Sequence, residues 1–327
     1  MDIFTDQRVL FITTKNLDYL RNTQEISLIR ESAKELFVIG SNKKSYPVRL
    51  LQVYWKLLWF SRRQFDMVFV GFAPQLVVPF FKWKWKGKKL CMDFFISVYD
   101  TLVFDRKKFK EQSLVARILK WIDTVTIQQA DCVIADTKAH GEYFMEEFGL
   151  SKDKLKVLYL EADSSIYYPR EQKKPQRMQD RFTVLYFGSV LPLQGLNIIL
   201  EAVDLLQGNK DIYFDIIGPI DNKYQKPESD NVEYHDWLSQ EDLAKHISFA
   251  DLCLAGHFNK DIDKAKRTIP GKAYIYAAME KPMILGDNPA THELYREDMP
   301  GIYFVEMGNA QALVDTIVRI SKEGVIE

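Results

Sequence analysis

Residues 264–294 read KAKRTIPGKAYIYAAMEKPMILGDNPATHEL. A loop crowded with cations leads through Pro270 to a predicted helix over 271–279, an apolar strand over 281–285 and a turn over 286–289. The N-terminus of a helix presents unpaired N–H groups and the positive end of the helix dipole, so cations beside it create a site for an anion. We expect that anion to be a diphosphate.

Four cations belong to this segment: Lys264, Lys266, Arg267 and Lys272. An arginine offers a planar fork to two phosphate oxygens and a lysine offers a point charge. The order of loop, proline and helix brings Arg267 and Lys272 to the N-terminus of one predicted helix. Lys264 and Lys266 fit a solvated surface better, so Arg267 and Lys272 are the predicted donor-binding and catalytic cations.

The rest of the chain repeats short apolar runs separated by helical segments, a pattern typical of parallel strands. The predicted strands lie at 8–12, 36–39, 67–71, 88–93, 131–135 and 154–158, and then at 182–188, 213–218, 232–234 and 251–255. We predict an α/β fold of two Rossmann-like, doubly wound domains that face each other across a cleft. The domains cover 1–170 and 182–327, and the polar segment 171–181 is the predicted linker.

Loops at the carboxyl ends of the strands should line this cleft, because open α/β sheets bind ligands there. The expected loops are 13–21, 93–105, 188–195 and 256–272. Gly188 and Gly195 in GSVLPLQG would let backbone N–H groups approach a phosphate, although such glycines also form plain tight connections.

Two residues of the first half are candidate catalytic groups. Asp93 ends a predicted strand, where a carboxylate can act as a base or orient a sugar hydroxyl, although aspartate is also common as a helix cap or a loop residue. His140 follows a predicted helix cap at Asp136 or Thr137 and is either near the substrate or a packed or surface histidine. Predicted acceptor contacts are Asp18, Arg21, Asn22 and Asp100. The other four histidines are dispersed along the chain, so we predict no metal site.

Bulk composition favours neither nucleic acid nor membrane, since the formal net charge of the 327 residues is −1. The three cysteines are scattered without a disulfide or zinc spacing, and the apolar runs fall short of the roughly 18 residues that span a bilayer. We expect a cytoplasmic protein with reduced cysteines.

Local segments do suggest an interface with lipid. VPFFKWKWKGKK at 78–89 interleaves lysine with tryptophan, which suits the inner face of an anionic membrane, and residues 49–63 are amphipathic. Both segments are also compatible with core packing beside solubilising lysines. Nucleic acid is not an expected partner, because no larger basic field surrounds the tryptophans.

With these segments in place, the chain resembles the GT-B glycosyltransferases, most closely those of family 4, also called group 1, that build cell-surface polysaccharides. The resemblance is carried by YFGSVLPLQGLNIILEA at 186–202, ADLCLAGHF at 250–258 and RTIPGKAYIYAAMEKPMILGDNPATHEL at 267–294. It implies a metal-independent, hexosyltransferase-like enzyme that retains stereochemistry and needs no cofactor. The donor would be a UDP- or GDP-linked sugar bound by the C-terminal half, and a glycan or lipid-linked acceptor would bind the N-terminal half.

Carried over by position, the resemblance assigns the donor diphosphate to Arg267 and Lys272. The other donor-binding positions that it implies are Gly188, Ser189, Gly195, Asp287, Asn288, Thr291 and Glu293. The family's two glutamates, however, align with Arg267 and Ile275, and an isoleucine cannot accept a hydrogen bond from a ribose hydroxyl. A non-catalytic accessory or scaffold subunit of a glycan-assembly complex is therefore the alternative, and a nucleotide-sugar epimerase or phosphorylase is a more distant one.

Overall fold

The computed structural model describes residues 2–324, which form two compact units divided in the chain between Glu161 and Ala162. Each unit is built on a six-stranded sheet in which neighbouring strands run parallel.

The first unit alternates strands and helices along the chain. Its strands are β1 Arg8–Thr13, β2 Glu35–Ile39, β3 Met67–Phe72, β4 Lys89–Asp93, β5 Cys132–Ala135 and β6 Leu155–Val157. Its helices are α1 Leu20–Ser32, α2 Tyr46–Trp59, α3 Lys82–Trp85, α4 Leu114–Gln128 and α5 Lys138–Phe148, with a π-helical turn at Asp100–Asp105.

The second unit repeats the same plan. Its strands are β7 Phe182–Phe187, β8 Ile212–Ile217, β9 Val232–His235, β10 Leu252–Gly256, β11 Met283–Gly286 and β12 Ile302–Val305. Its helices are α6 Leu196–Leu205, α7 Gln240–Phe249, α8 Asp263–Arg267, α9 Gly271–Ala278 and α10 Ala310–Glu323.

Both sheets are doubly wound. The strand orders are β2-β1-β3-β4-β5-β6 and β12-β11-β10-β7-β8-β9, so the first strand of each unit lies inside its sheet and the chain reverses direction beside it. In the first unit, Leu10 and Ile12 face a core shared with α2 to α5, whereas Val9 and Phe11 face a core shared with α1. Helices therefore cover both faces of that sheet, and the predicted α/β class with two doubly wound domains is confirmed.

The segment that was assigned to the end of the first domain and to the linker packs with the second unit. Tyr167 Oη donates a hydrogen bond of 2.5 Å to Gln240 Oε1, Lys174 forms an ion pair with Asp251, and Met178 is buried. The chain consequently divides before residue 170, and the polar sequence of this segment reflects ion pairs on the surface of the second unit.

Two elements of the second unit differ from the sequence-based expectation. The cation-rich residues before Thr268, expected as a loop, form the short helix α8, and Lys266 Nζ lies 2.9 Å from Asp263 Oδ1 one turn earlier. The edge strand β12 was not predicted and pairs with β11. Neither difference moves the predicted helix start after Pro270.

Residues 2–324 contain no helix that is both long and apolar enough to cross a bilayer. The cysteines Cys91, Cys132 and Cys253 are buried and carry free thiols. Burial raises the pKa of Cys253 well above its ordinary value, which makes this thiol a poor nucleophile.

Candidate functional site

The second unit has a topological switch point between β7 and β10. From β7 the chain moves outward through β8 to β9, and it then returns to place β10 on the other side of β7. Loops that leave two such strands diverge and open a crevice at the carboxyl edge of the sheet, where ligands bind in this class of fold. The loops at this crevice are 188–195 and 257–270, which contain or precede most of the predicted donor-binding residues.

Lys272 lies in the first turn of α9, which follows the second of these loops, and only 4% of its surface is exposed. Its Nζ donates a hydrogen bond to Gln194 Oε1 and lies 4.3 Å from the centre of the Tyr186 ring. A glutamine is neutral, and among residues 2–324 Lys272 forms no ion pair. Burial therefore lowers the pKa of Lys272 to about 7.

The ammonium group of Lys272 faces the end of β7. A Cβ atom placed on Gly188 would lie 3.2 Å from Lys272 Nζ and 3.0 Å from Gln194 Oε1, so any larger residue would crowd both groups. A lysine held beside glycine backbone at a helix N-terminus presents cationic charge and backbone N–H groups to one point. This arrangement can bind an anion that supplies the negative charge missing around Lys272.

Gly195 is required by packing between the two loops. It has a φ of +71°, and a Cβ atom there would lie 2.7 Å from the backbone carbonyl carbon of Phe258. The Phe258 N–H donates to Gln194 O at 3.2 Å, which ties the loop after β10 to the loop after β7. Gly195 thus shapes the crevice, and its predicted role as a direct donor contact stays a prediction.

The turn after β11 is held by its own side chains. Asn288 Nδ2 donates to Gly286 O at 2.9 Å, and Thr291 Oγ1 donates to the same carbonyl at 2.9 Å. Both side chains are buried, whereas Asp287 is exposed and lies 2.7 Å from His292 Nε2. The predicted donor residues Asn288 and Thr291 therefore set the shape of this turn.

The remaining predicted donor residues lie at the edges of these loops. Arg267 is the last residue of α8 and is half-buried, Ser189 is exposed directly after Gly188, and Glu293 lies in the 3₁₀ turn Thr291–Glu293. Lys272 and Gly188 are the predicted residues from separate loops that lie side by side at the end of β7.

In the first unit, the predicted residues Asp93 and Arg21 bind each other. Arg21 Nε donates to Asp93 Oδ2 at 2.5 Å and lies 3.6 Å from Glu25 Oε1, with all three side chains buried. Burial, together with the charge of Asp93, raises the pKa of Glu25 well above its ordinary value. The ion pair between Arg21 and Asp93 joins α1 to the end of β4, so this cluster positions the two elements against each other.

His140 has the geometry of an oriented imidazole. Thr137 caps α5 as one of the two predicted capping residues, and its Oγ1 accepts a hydrogen bond of 3.0 Å from the His140 N–H. His140 Nδ1 lies 2.6 Å from Asp136 Oδ1, while Nε2 is buried without a hydrogen bond in the described chain. The carboxylate favours a proton on Nδ1 and leaves Nε2 as the acceptor.

The predicted acceptor residues occupy different environments. Asn22 is buried, accepts a hydrogen bond from Thr13 Oγ1 and donates to Asn16 O, so its side chain organises the loop after β1. Asp18 on the same loop is exposed and Asp100 is fully buried in the π-helical turn. Their assignment to an acceptor stays a prediction.

Asp123 on α4 was not selected from the sequence, yet it organises the loop after β4. Its carboxylate accepts hydrogen bonds from Ser97 Oγ at 2.6 Å and from the backbone N–H of Tyr99 at 2.8 Å. Gln75 Nε2 donates to the other oxygen at 2.8 Å. Burial raises the pKa of Asp123 to about 6. No local pattern marks this aspartate, because these partners lie 24, 26 and 48 residues away in sequence.

The expectation that the histidines are too dispersed for a metal site is wrong for two of them. His246 Nδ1 lies 2.6 Å from Asp215 Oδ2, and His235 Nε2 lies 3.4 Å from Asp215 Oδ1. These three residues could hold a divalent cation such as zinc, which takes histidine and carboxylate ligands. The register of β8 and β9 brings Asp215 and His235 together, and α7 adds His246. The hydrogen bond between His246 and Asp215 accounts for that contact without an ion.

Residues 181–323, nearly the whole second unit, match the family described as Glycosyl transferases group 1. An uncharacterised 41.2 kDa protein in the cps region of Klebsiella pneumoniae is 24% identical over 229 residues, which are 68% of this chain and 61% of that protein. The chain thus spans less than two thirds of that relative. The chitobiosyldiphosphodolichol beta-mannosyltransferase of Candida albicans is 23% identical over 318 residues, covering 86% of this chain and 68% of the relative.

Solved structures share the whole fold at low sequence identity. Sucrose-phosphate synthase from Thermosynechococcus elongatus superposes with a TM-score of 0.67 at 12% identity, covering 97% of this chain and 90% of that one. Anabaena HepE in complex with UDP superposes with a TM-score of 0.64 at 13% identity and the same coverage. The two-domain architecture of these proteins is therefore also that of this chain.

Proposed function

We propose that this chain, whose residues 181–323 match the group 1 glycosyl transferases and which has the GT-B fold, is a retaining glycosyltransferase of that family. Its donor is a UDP- or GDP-linked sugar, and its acceptor is a glycan or a lipid-linked glycan in cell-surface polysaccharide synthesis. The second unit binds the donor and the first unit binds the acceptor. The reaction uses no metal ion and no cofactor.

The observation that carries this proposal is the buried ammonium group of Lys272 beside Gly188. Burying a cation without a carboxylate costs free energy, as the lowered pKa of Lys272 shows. A protein retains such a group when a ligand supplies the opposite charge. A diphosphate bound at the N-terminus of α9 would do so, and its charge grows as the sugar leaves, so the same contacts stabilise the transition state more than the ground state.

The proposed catalytic roles follow from the geometry of each unit. Lys272 and Arg267 stabilise the departing nucleoside diphosphate, whose own phosphate oxygen accepts the proton of the attacking hydroxyl. His140, oriented by Asp136, accepts a hydrogen bond from a sugar hydroxyl at Nε2. Asp93 is engaged by Arg21, so its contribution is to hold this part of the first unit in place.

The named relatives support the substrate classes. The Klebsiella pneumoniae relative is encoded in a cps region, and two further relatives are named as mannosyltransferases, including the human alpha-1,3/1,6-mannosyltransferase ALG2. The HepE structures hold UDP and UDP-glucose. These names favour a nucleotide-linked hexose as donor and a growing glycan as acceptor.

Thermal shift and calorimetry with UDP, GDP and their sugars test the proposal on the full chain. We expect one nucleotide to bind, Lys272→Met to weaken binding by about ten- to a hundredfold through loss of a charge-assisted hydrogen bond, and the surface variant Lys266→Met to bind normally. The proposal fails if the folded wild-type protein binds none of these nucleotides.

Ile275 favours a second candidate function. It stands on α9 where the resemblance to the family implies a glutamate for the ribose, so the chain would be a non-catalytic subunit of a glycan-assembly complex if donor binding has been lost. In that case Lys272→Met leaves glycan synthesis in cells intact, whereas the proposed transferase loses it.

We also place the protein in the cytoplasm, at the inner face of an anionic cell membrane, where lipid-linked acceptors are found. The support is the lysine and tryptophan segment at 78–89, in which Phe80, Lys82, Trp83 and Lys86 are exposed.

A further inference from the structure

Helix α2 turns a large apolar face away from the core. Val53 and Leu57 face inward and pack against the sheet. The outward residues follow one stripe at helical spacing, and Trp59 at its end is 74% exposed. The exposed apolar residues of this stripe are Val48, Leu51, Trp55, Leu58 and Trp59. Scattered exposed hydrophobics are ordinary, but a continuous stripe with two tryptophans marks an interaction surface.

The same side of the first unit carries two further apolar patches. Residues from α2, α3 and α4 all contribute to the core on one face of the sheet, opposite α1, so their outer faces point the same way. Lys84 on α3 donates hydrogen bonds to Leu58 O and Phe60 O, which joins α3 to the end of α2. The exposed apolar residues added here are Phe80, Trp83, Phe109, Leu114, Val115, Ile118 and Trp121.

Cations surround this three-helix surface, defined by the exposed residues of α2, α3 and α4. Residues 41–89 contain eleven lysines and arginines and one aspartate, a formal charge of +10 in a chain of net charge −1. Of these cations, Arg49 and Lys84 are buried and the others are at least partly exposed. The exposed loop before α4 reads RKKFK at 106–110. A groove of about 910 Å³ beside Trp83, lined also by Lys82, Lys86 and Lys88, has room for a phosphate-bearing head group.

We propose that the three-helix surface docks on a bilayer of anionic lipid, with its tryptophans at the level of the head groups and its cations against the lipid phosphates. The positive charge of this surface favours an anionic bilayer over a second copy of the chain as its partner. A second copy of the chain would bring two surfaces of high positive charge together, which opposes self-association. A bilayer of anionic lipid can contact the apolar stripe and, through its phosphates, the cations in the same binding event.

Docking in this way would bring the membrane to the loop after β4, and this consequence rests on the proposed function. The outer residues of α4 lie against lipid, while Asp123 on the inner face of the same helix binds Ser97 and Tyr99. That loop leads into the π-helical turn with the predicted acceptor residue Asp100. A lipid-linked acceptor would therefore be presented next to the helix that anchors the protein.

Cosedimentation of the full chain with vesicles tests the docking without any donor or acceptor. At about 0.15 M salt we expect binding to vesicles with about 30% phosphatidylglycerol and little binding to pure phosphatidylcholine. Trp55→Ser with Trp59→Ser should weaken binding at least about tenfold. Lys82→Glu with Lys86→Glu changes the charge by four units and should weaken binding by about 600-fold, at about fivefold per unit charge.

Matched variants on the second unit serve as controls. Trp237 is 72% exposed, so Trp237→Ser should bind vesicles like the wild type, and so should the exposed pair Lys210→Glu with Lys322→Glu. Circular dichroism confirms that each variant is folded. The proposal is overturned if the folded wild-type protein does not bind anionic vesicles. It is also overturned if the wild type is a dimer, the variant Trp55→Ser with Trp59→Ser is a monomer, and both bind vesicles equally. Nucleotide binding by the same samples reports the proposed activity separately.

Discussion

Replacing Lys272 with methionine should make the protein more stable while weakening its binding of nucleotide. The pKa of Lys272 falls from 10.5 to about 7 on folding, and at pH 7 that shift corresponds to an unfavourable free energy of about 4 kcal/mol. Methionine fills a similar volume without a charge, but it loses the hydrogen bond to Gln194, worth about 2 kcal/mol. The expected net gain is about 2 kcal/mol in the free energy of unfolding.

The pH dependence identifies the cause of this gain. Because folding lowers the pKa of Lys272, the unfolded chain binds more protons than the folded protein between about pH 7 and 10.5, and this group makes stability rise with pH in that window. The wild type should gain about 2 kcal/mol from Lys272 between about pH 7 and 9. The advantage of the Lys272→Met variant should therefore shrink by that amount.

Urea unfolding at both pH values measures the stability difference, and thermal shift with UDP and GDP on the same samples measures binding. Lys266→Met, in which a surface lysine of α8 is removed, should change neither by more than about 0.5 kcal/mol. A Lys272→Met variant that is less stable than the wild type at both pH values, and that still binds nucleotide normally, would refute this reasoning.

Three further substitutions test other parts of the structure by urea unfolding. Arg21→Met should lower stability by about 3–5 kcal/mol, because it leaves Asp93 buried without its cation; a loss under about 1 kcal/mol contradicts the buried pair. Gly195→Ala should lower the free energy of unfolding by at least about 2 kcal/mol, because Gly195 has a positive φ and a close backbone contact. Gly208→Ala, with open space around it, should be tolerated, and equal losses in the two variants would contradict the packing at Gly195. Asp123→Ala should lower the free energy of unfolding by about 2 kcal/mol. It should slow transfer of the sugar to the acceptor more than hydrolysis of the donor, and equal slowing of both would argue against a role of the loop after β4 in acceptor binding.

The fold was predictable because parallel strands are buried on both faces and therefore appear as uninterrupted apolar runs. Strand β8 and helix α9 lie within one or two residues of the positions expected from sequence. Helix α8 was missed because five residues are too few to show a helical period. Strand β12 has only four residues and lies at the sheet edge.

The chemistry of individual residues was less predictable, since it depends on contacts between distant elements. The cation set around Arg267 was visible in the sequence, but burial of Lys272 against Gln194 arises from the packing of α9 on the loop after β7. The approach of His235 and His246 to Asp215 depends on strand register and on the position of α7. For α2, amphipathicity was evident, but the sequence could not tell that its tryptophans face outward.

The central claim is that the N-terminus of α9 and Lys272 hold the diphosphate of a nucleotide sugar. A crystal structure of the full chain soaked with UDP or GDP tests it most directly. We predict the diphosphate within about 3 Å of Lys272 Nζ, beside Gly188 at the end of β7. A nucleotide bound with its phosphates away from α9, or an empty crevice at saturating nucleotide, would contradict the claim.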